Sequence, residues 1–481
     1  MDVPDRLPFE VAARSWVHGV RLDIDHQIQP VQRVPATKPG QSTVRPFVRV
    51  HPRDLLLYQA LVDSLHEPLE SALGSREEVF AYRLSPLECD DPFEGSPRWR
   101  HYNAALHELA VGDLDGYVIE GDVSSFFLNI DLDELERRLL EIDCAGAVVR
   151  DLGALLRGWA AQGIRGLPQG VLPSSPLANF YLSLLDQFFR SEAVPFVRYM
   201  DDFAARCPSH HASRRLLDQI EELLYDDGLS LGGGKTAIVR AENVLKRFTP
   251  EEGLDGVISA LQEEDYAPGP EEIEEIRLAE VCALFDAAIA ALNEDEYRRS
   301  DLTFALRALA QAKDPHAIAD IPQMLLRIPG LTPVACRYLE TMAGTDHRGL
   351  VTTALVALTT DRFHRAQEWL NILRAIQVIP ERKGGQLVSL LTELVLSHEH
   401  PLVRARALLA WGAQSEPEDF EVVDQFFANE ARPWLQYPVV AVQAKAEAQR
   451  EERYQRWSGE GRGVARLAES VKSQRFAWSK S

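Results

Sequence analysis

The chain has 481 residues, of which 46% are hydrophobic and 26% charged, and its formal net charge is −22. This length predicts two or three domains, because one hydrophobic core rarely serves so many residues. The acidic balance argues against a general nucleic-acid coat protein, which would carry a basic surface. No apolar run approaches the roughly 20 residues of a membrane-spanning helix.

Cysteine usage and the first residues bear on the cellular compartment. The five cysteines are scattered, with no CxxC pair and no His/Cys cluster, which is typical of a reducing compartment and of a protein without structural zinc. The first residues, MDVPDRLPFEVAARSW, carry acid early and lack an apolar segment, so we expect no signal peptide. These features predict a cytoplasmic protein that does not associate with membranes.

Positive charge is concentrated in one segment near the N-terminus. Between Gln27 and the acidic Asp54 every charged side chain other than histidine is basic: the residues are Arg33, Lys38, Arg45, Arg49 and Arg53. This segment is the best candidate for a surface that faces phosphate groups. A solvated basic loop in a hairpin is an alternative that the segment alone leaves open.

The first half of the chain alternates helical and strand patterns. Apolar spacing predicts one helix from about Leu55 to Leu73, and YVIEGD (117–122) begins with a short buried strand. DLDELERRLLEI (131–142) is predicted to be a helix with acid at its start, and GLPQGVLPSSPLANFYLSLLDQFFR (166–190) a Gly/Pro loop followed by one long helix. A hairpin, the helix SRRLLDQIEELLYDDG and the strand-like LSLGGGKTAIVR follow. The pattern indicates an α+β fold in which helices back one face of a sheet.

Two adjacent carboxylates interrupt the apolar hairpin VPFVRYMDDFAARC (194–207). Aspartate is a poor strand residue and is costly to bury unless it is paired or bound to a metal. A hairpin with Asp201 and Asp202 at its tip, close to Asp122 at the end of YVIEGD, would supply the carboxylates that two-metal phosphoryl transfer needs. Magnesium suits such a site, because it takes a few carboxylates together with substrate phosphate oxygens.

The second half of the chain has a different character. After about Thr249 an acidic stretch rich in Pro and Gly suits a domain boundary. Beyond it, four segments each resemble a helix pair: LTFALRALAQAKDPHAIADIPQMLLRI, VACRYLETMAGTDHRGLVTTALVALTT, AQEWLNILRAIQVIPERKGGQLVSLLTELVL and HPLVRARALLAWGAQSEPEDFEVVDQFF. DPHAIADIPQML and HPLVRARALLAWG are similar to HEAT-type repeats, so we predict an α-solenoid-like array. An irregular helical bundle stays open as an alternative, because the period drifts.

The order of the motifs resembles that of reverse transcriptases. EGDVSSFF, GLPQGVLPSSPLANFYL, RYMDDF and GLSLGGGKTAI follow one another as the palm motifs of that family do. VRPFVRVHPRDLLLYQALVDSL and FAYRLSP resemble the fingers motifs of its bacterial branch. The resemblance covers residues 30–245. It implies fingers and an N-terminal extension over 1–110, a palm over 111–248, a helical-repeat domain over 249–450, and a basic, aromatic tail over 451–481.

The resemblance implies catalytic roles for four residues. Asp122 and Asp201 would hold two Mg²⁺ ions, for which Mn²⁺ could substitute. Asp202 belongs to the same motif, but we expect it to be more peripheral, because consecutive side chains on extended backbone point apart. Lys235 lies where the family has a lysine that can protonate the pyrophosphate leaving group, although a solvated loop lysine is an alternative. The residues implied to lie beneath the primer terminus are Tyr199 and Met200.

Further positions are implied to bind the nucleotide. Gln169 and Gly170, in the Pro-Gln-Gly turn, would contact the incoming nucleotide and the template. Phe127 would exclude a 2′-hydroxyl and so favour dNTPs, although it could also be a core residue. Arg45, and with it Lys38, would clamp the triphosphate by charge.

The helical extension resembles that of the abortive-infection and defence-associated reverse transcriptases of bacteria. That resemblance implies an RNA-directed DNA polymerase in antiphage defence, with dNTPs, an RNA template such as a dedicated noncoding RNA, and a DNA product. The helical domain could also join copies of the chain in a homo-oligomer. Two other functions stay open: a protein-primed or template-independent DNA polymerase on the same palm, and a catalytically silent RNA-binding scaffold.

Overall fold

The computed structural model describes residues 28–37, 44–86, 93, 98–142, 144–248, 278–294, 297–360, 364–379, 385–415, 421–430, 435 and 439. Their contacts form two compact units. The sheet unit comprises the described residues within 22–31 and 47–266, and the helical unit those within 32–46 and 267–481. The boundary crosses the second strand of the chain, between Pro46 and Phe47.

The chain begins with a strand pair and continues through the secondary structure of the sheet unit. β1 (Gln32–Thr37) and β2 (Val44–Arg49) form a two-stranded sheet. The helices that follow are α1 (Pro52–Asp63), α2 (His66–Ala72), α3 (Arg98–Val111), α4 (Phe126–Asn129), α5 (Leu132–Glu141), α6 (Gly146–Ala160), α7 (Ser174–Tyr181), α8 (Ser183–Ser191), α9 (His210–Asp226) and α10 (Ala241–Lys246). The interspersed strands are β3 (Tyr117–Asp122), β4 (Phe196–Tyr199), β5 (Asp202–Cys207) and β6 (Ala237–Arg240).

The main sheet is antiparallel, with the strand order β4-β5-β3-β6. β4 and β5 form the predicted hairpin, and β5 pairs along the whole of β3. This order brings the end of β3 beside the start of β5. Residues that are 80 positions apart in sequence thereby become cross-strand neighbours.

Helices cover both faces of this sheet, which corrects the expectation of helices on one face. Val118 and Ile119 are both 0% exposed although neighbouring strand residues point to opposite faces. Val118 packs in a hydrophobic cluster with residues of α3 and α10, and Ile119 in a second cluster with residues of α9. Because β3 is apolar on both sides, each face needs its own helical cover.

Two predicted long helices are each broken. The helix expected over 55–73 is α1 and α2, separated at Ser64 and Leu65. Pro68 lies in the first turn of α2 and has no N–H to donate to the carbonyl of Ser64, so a continuous helix would lose that bond. The helix expected before the hairpin is α7 and α8, and it breaks at Leu182, where ψ is 0°.

The helical unit contains the four predicted helix pairs. It begins with α11 (Leu278–Asn293), and the pairs are α12 (Arg299–Ala312) with α13 (Ile321–Arg327), α14 (Thr332–Ala343) with α15 (Arg348–Thr360), α16 (Ala366–Val378) with α17 (Gln386–Ser397), and α18 (Pro401–Gln414) with α19 (Glu421–Asn429). A short 3₁₀ turn, Pro329–Leu331, precedes α14.

Alternate helices of this unit stack into two rows. α12, α14, α16 and α18 pack successively in one row, and α13, α15, α17 and α19 in the other. Apolar faces are therefore buried between neighbours along each row and between the rows. Over the described part of the chain, the helices are too short or too polar to cross a membrane.

Strand β1 packs on α16 within the helical unit. Thr37 Oγ1 donates to Glu368 Oε1 at 2.5 Å and accepts from Arg365 Nη1 at 2.6 Å. His400 Nε2 lies 2.8 Å from the carbonyl oxygen of Arg33. Polar contacts with helices more than 300 residues away in sequence thus hold an N-terminal strand.

Candidate active site

The sheet brings two of the predicted acids into direct opposition. Asp122, the last residue of β3, pairs in register with Asp202, the first residue of β5. The intervening turn of the hairpin is formed by Met200 and Asp201, and Met200 has a left-handed φ of +56°. The amide of Val123 donates to the carbonyl of Asp201 at 3.1 Å. The sequence therefore folds so that all three acids lie at the same end of the two central strands, β3 and β5.

The glycine loop before β6 places Lys235 against these acids. The amide of Gly232 donates to the carbonyl of Asp122 at 2.7 Å, and the amide of Ser124 donates to that of Ser230 at 2.8 Å. A Cβ on Gly232 would lie 2.9 Å from Asp122 Oδ2, which is closer than Cβ atoms approach such an oxygen. The absence of a side chain at this position is what allows the loop to approach β3.

Lys235 links the two paired carboxylates. Its Nζ lies 2.8 Å from Asp122 Oδ1 and 3.6 Å from Asp202 Oδ1. Partial burial lowers the pKa of Lys235, but the hydrogen bond to Asp122 and the charges of Asp202 and Asp201 outweigh that effect and raise the pKa overall. The ammonium group therefore stays protonated and neutralises part of the negative charge.

Asp202 has an altered affinity for protons. Burial raises its pKa, and the neighbouring charge of Asp201 raises it further, to about 6, against a partial offset from Lys235. Crowded carboxylates disfavour one another's ionised form unless a cation joins them. The cluster is thus an electrostatic environment that would gain from a bound cation of higher charge than one ammonium.

The donor set suits a divalent metal that also binds substrate. Carboxylate oxygens are the ligands that hard cations prefer. Within the described residues, however, no three His, Cys, Asp or Glu side chains are grouped closely enough to form a metal site by themselves. Asp122 and Asp202, joined by Lys235, therefore fit a site that substrate oxygens complete.

The Pro-Gln-Gly turn is anchored to neighbouring backbone. The carbonyl of Gln169 accepts from the amide of Val48 at 3.0 Å, and the amide of Leu167 donates to the carbonyl of Phe127 at 2.9 Å. Gly170 has a φ of +87°, a conformation that favours glycine. Gln169 is half-buried and Gly170 exposed, so the turn presents its end to solvent.

The other predicted binding residues differ in exposure. Phe127 is half-buried and packs edge-on against Phe126, with a ring-centroid distance of 5.9 Å. Met200 is buried, whereas Tyr199 is half-buried. Arg45 is exposed on β2. Lys38 and the aromatic, basic tail over 451–481 lie outside the described residues.

The sequence analysis did not identify two sets of contacts beside the hairpin. Arg198, Asp186 and Asn179 form a buried hydrogen-bonded cluster under the turn. Trp99 of α3 contacts the ring of Tyr199, with the centroids 4.9 Å apart and the rings at 89°. The signal for the first set was an arginine and an aspartate within apolar segments; for the second set, no local pattern was available.

Comparison with known families gives the class of this part of the chain. Residues 38–263 match the family model described as reverse transcriptase (RNA-dependent DNA polymerase). The chain contains a reverse transcriptase domain. This domain indicates an RNA-directed DNA polymerase, a nucleotidyltransferase, and polymerases of this family use divalent metal ions.

Two solved structures were found to be similar to the chain as a whole. Telomerase from Candida albicans, solved with a TWJ fragment of telomeric RNA, has a TM-score of 0.35 and 11% identity, over 75% of this chain and 68% of that one. Apo telomerase from Candida tropicalis has a TM-score of 0.35 and 10% identity, over 96% of this chain and 73% of that one. The comparison with curated proteins gave no match.

Proposed function

We propose that this reverse transcriptase polymerises dNTPs by two-metal nucleotidyl transfer with Mg²⁺, and that it acts in bacterial antiphage defence. The observation that carries the catalytic part is the pairing of Asp122 with Asp202 across β3 and β5, with Lys235 bridging their carboxylates. Such a constellation of acids and one cation at strand ends suits phosphoryl transfer.

In this proposal the three acids hold the metal ions and Lys235 serves the leaving group. Asp122, Asp201 and Asp202 would supply part of the oxygen ligands, and phosphate oxygens of the substrate would supply the rest. Bound divalent ions would activate the primer 3′-hydroxyl and neutralise charge on the transferred phosphate. Lys235, which is protonated and half-exposed, would donate its proton to the departing pyrophosphate.

The binding roles follow the same motifs. Gln169 and Gly170 would contact the nucleotide and the template, and Phe127 would pack under the sugar and exclude a 2′-hydroxyl. The exposed Arg45, together with Lys38, would clamp the triphosphate. Tyr199 and Met200 would support the primer terminus from the turn.

A primer-extension assay tests the catalytic part. We expect the purified chain to extend an oligo(dT) primer on poly(rA) with dTTP and Mg²⁺, and to use UTP poorly. Asp201→Ala together with Asp202→Ala should abolish extension while the circular dichroism spectrum is retained. Extension that persists in this double variant would rule out the proposed catalytic site.

The defence role rests on the motif order and on the helical unit that accompanies the polymerase domain. We expect the intact gene to protect bacteria in a plaque assay and the double Asp variant to lose that protection. We further propose that the helical pairs are HEAT-like repeats, that they could join copies of the chain, and that the protein is cytoplasmic. Protection by the catalytically dead variant would favour an RNA-binding scaffold instead.

Nucleic acid that copurifies with the protein distinguishes the remaining alternatives. A defined small RNA, with complementary DNA only in the active protein, supports templated reverse transcription from a dedicated RNA. DNA of biased composition that is covalently attached to the protein, without RNA, would replace that proposal with protein-primed synthesis.

A further inference from the structure

Arg198 is a buried arginine on β4, two residues before the turn that carries Asp201. Arg198 and its partners Asp186 and Asn179 are all 0% exposed. Burying an ion pair requires the removal of both charges from water, and replacing such a pair with apolar side chains often leaves stability unchanged or increases it. The presence of this pair therefore calls for an explanation other than stability.

The guanidinium group has an acceptor for each of its five N–H groups. Nε donates to Asp186 Oδ1 and Nη2 to Asp186 Oδ2, both at 2.6 Å. Nη2 also donates to the carbonyl of Asn179 at 3.4 Å. Nη1 donates to Asn179 Oδ1 at 2.8 Å and to the carbonyl of Met200 at 2.9 Å. A planar, fully satisfied fork of this kind has one orientation.

The bond to Met200 acts on the backbone next to Asp201. Met200 has a φ of +56°, a conformation that residues other than glycine seldom adopt without support. Its carbonyl belongs to the peptide group that leads into Asp201, and the carbonyl of Asp201 itself accepts from Val123 at 3.1 Å. Both peptide groups that flank Asp201 are thus held, one by Arg198 and one by β3.

Helix α7 connects this cluster to the Pro-Gln-Gly turn. At its start, Ser174 Oγ donates to the carbonyl of Pro168 at 2.8 Å. Near its end, Asn179 accepts from Arg198 and donates through Nδ2 to the carbonyl of Ala81 at 2.8 Å. The short helix α7 is therefore hydrogen-bonded both to Pro168, the residue before Gln169, and to Arg198, which supports the turn that contains Asp201.

We propose that Arg198 is a positioning residue, which fixes the Met200–Asp201 peptide and thereby the direction of the Asp201 carboxylate. Asp186 and Asn179 orient its guanidinium, and α7 keeps it in register with the Pro-Gln-Gly turn. This inference rests on the proposed role of Asp201 as a metal ligand. It predicts that the cluster matters more for catalysis and metal affinity than for folding.

The test replaces the ion pair with apolar side chains and measures folding, metal binding and catalysis separately. In the Arg198→Met, Asp186→Leu double variant we expect a folded protein, since the charges leave together, with a thermal midpoint only moderately lowered because the acceptors of Asn179 and Met200 lose their donor. The affinity for Mn²⁺, measured by calorimetry without substrate, should fall about 10-fold. The kcat for primer extension should fall about 100-fold, with little change in KM for dTTP.

Two further variants complete the test. Arg206→Met removes an arginine of β5 whose Nη1 contacts the carbonyl of Leu109 and not the turn, so its Mn²⁺ affinity and kcat should stay near those of the wild type. Arg198→Lys keeps the buried charge but not the planar fork, and it should also lose Mn²⁺ affinity and kcat. If the double variant fails to fold, Arg198→Lys tests the positioning role in its place.

The outcomes separate this inference from the proposed function. A folded double variant, or a folded Arg198→Lys variant, with wild-type Mn²⁺ affinity and kcat would overturn the positioning role. If Asp201→Ala abolishes extension in the same assays, the proposed catalytic site would survive that result. Full activity in Asp201→Ala would instead overturn the proposed site itself.

Discussion

At the scale of single residues, the approach of the glycine loop to Asp122 depends on one missing side chain. A Cβ on Gly232 would lie 2.9 Å from Asp122 Oδ2, whereas a Cβ on Gly234 would meet nothing within 4 Å. We predict that Gly232→Ala lowers kcat for primer extension at least about 10-fold, because the loop and Asp122 must move apart. Gly234→Ala, the matched control, should stay within about twofold; equal losses in both variants would contradict this steric explanation.

Lys235 lies between two of the carboxylates that we propose as metal ligands, so we expect its ammonium group and a bound metal ion to compete for them. Its Nζ bridges Asp122 and Asp202. We predict that Lys235→Met increases the rise in thermal midpoint that saturating Mg²⁺ causes, because the unneutralised acids gain more from the ion. Differential scanning fluorimetry with and without Mg²⁺ measures this rise. Lys246→Met, which removes a lysine bonded to Asn243, should leave it unchanged, and a smaller rise in Lys235→Met would show that the lysine assists metal binding.

At the scale of elements, α3 supports the β4–β5 hairpin through aromatic contacts. The ring of Trp99 lies edge-on to Tyr199, and the Tyr102 ring contacts both, at centroid distances of 5.0 Å from Trp99 and 5.8 Å from Tyr199. Edge-to-face pairs contribute about 0.5–1.5 kcal/mol beyond their buried area. We predict a coupling free energy in that range between Trp99→Leu and Tyr199→Leu.

A double-mutant cycle measures this coupling. The free energy of unfolding is obtained from urea titrations of the wild type, the two single variants and the double variant, followed by circular dichroism. Trp99→Phe keeps an aromatic edge and should lose less stability than Trp99→Leu. A coupling energy near zero would mean that α3 holds the hairpin by other contacts.

A helix or strand could be predicted from the sequence where the residues that determine it lie close together in the chain. The hairpin with Asp201 and Asp202 and the four helix pairs were predicted from apolar spacing and turn residues, because these patterns act within a few positions. The helix that begins with α1 was predicted to continue through α2, which was wrong. The apolar spacing continues past Ser64 and gave a stronger signal than Pro68, which has no N–H to donate to the carbonyl of Ser64.

The site followed the same rule. Asp122, Asp201 and Asp202 could be chosen because acids in apolar segments have few structural uses. The sequence analysis expected Asp202 to be the more peripheral of the hairpin acids, but the sheet order makes it the residue that lies opposite Asp122. The contact between Arg198 and Met200 spans two residues, yet its meaning depends on Asp186 and Asn179, which belong to other elements. Contacts of this kind leave no period in the sequence.

At the scale of the whole molecule, the grouping of β1 with the helical unit could not have been predicted. The residues that hold Thr37 lie on or just before α16, and the contact spans 331 positions in sequence between Thr37 and Glu368. No local pattern in β1 indicates a helical partner. The sequence-based boundary near residue 249 separated these segments, whereas the contacts place them in one unit.

Glu368 is the residue whose removal should release β1. Burial raises its pKa, but hydrogen bonds from His364, Thr37 and the Arg365 backbone outweigh that effect, so that the pKa is lowered overall. A carboxyl whose pKa is lower in the folded than in the unfolded state stabilises the fold above its unfolded pKa, and this contribution is lost as the pH falls through the folded pKa. The contact is therefore fully formed at neutral pH and weakens only in acid.

We accordingly predict that Glu368→Gln at pH 7 increases amide hydrogen exchange in β1, because the charged acceptor of Thr37 Oγ1 is lost while the side-chain shape is kept. Hydrogen exchange followed by mass spectrometry of peptides that cover Gln32–Thr37 measures this change in the full chain. Glu340→Gln is the matched control, since Glu340 pairs with Arg374 between α14 and α16 without contacting Thr37. Equal exchange in β1 for both variants would mean that its backbone contacts, such as that of Arg33 with His400, hold the strand without Glu368.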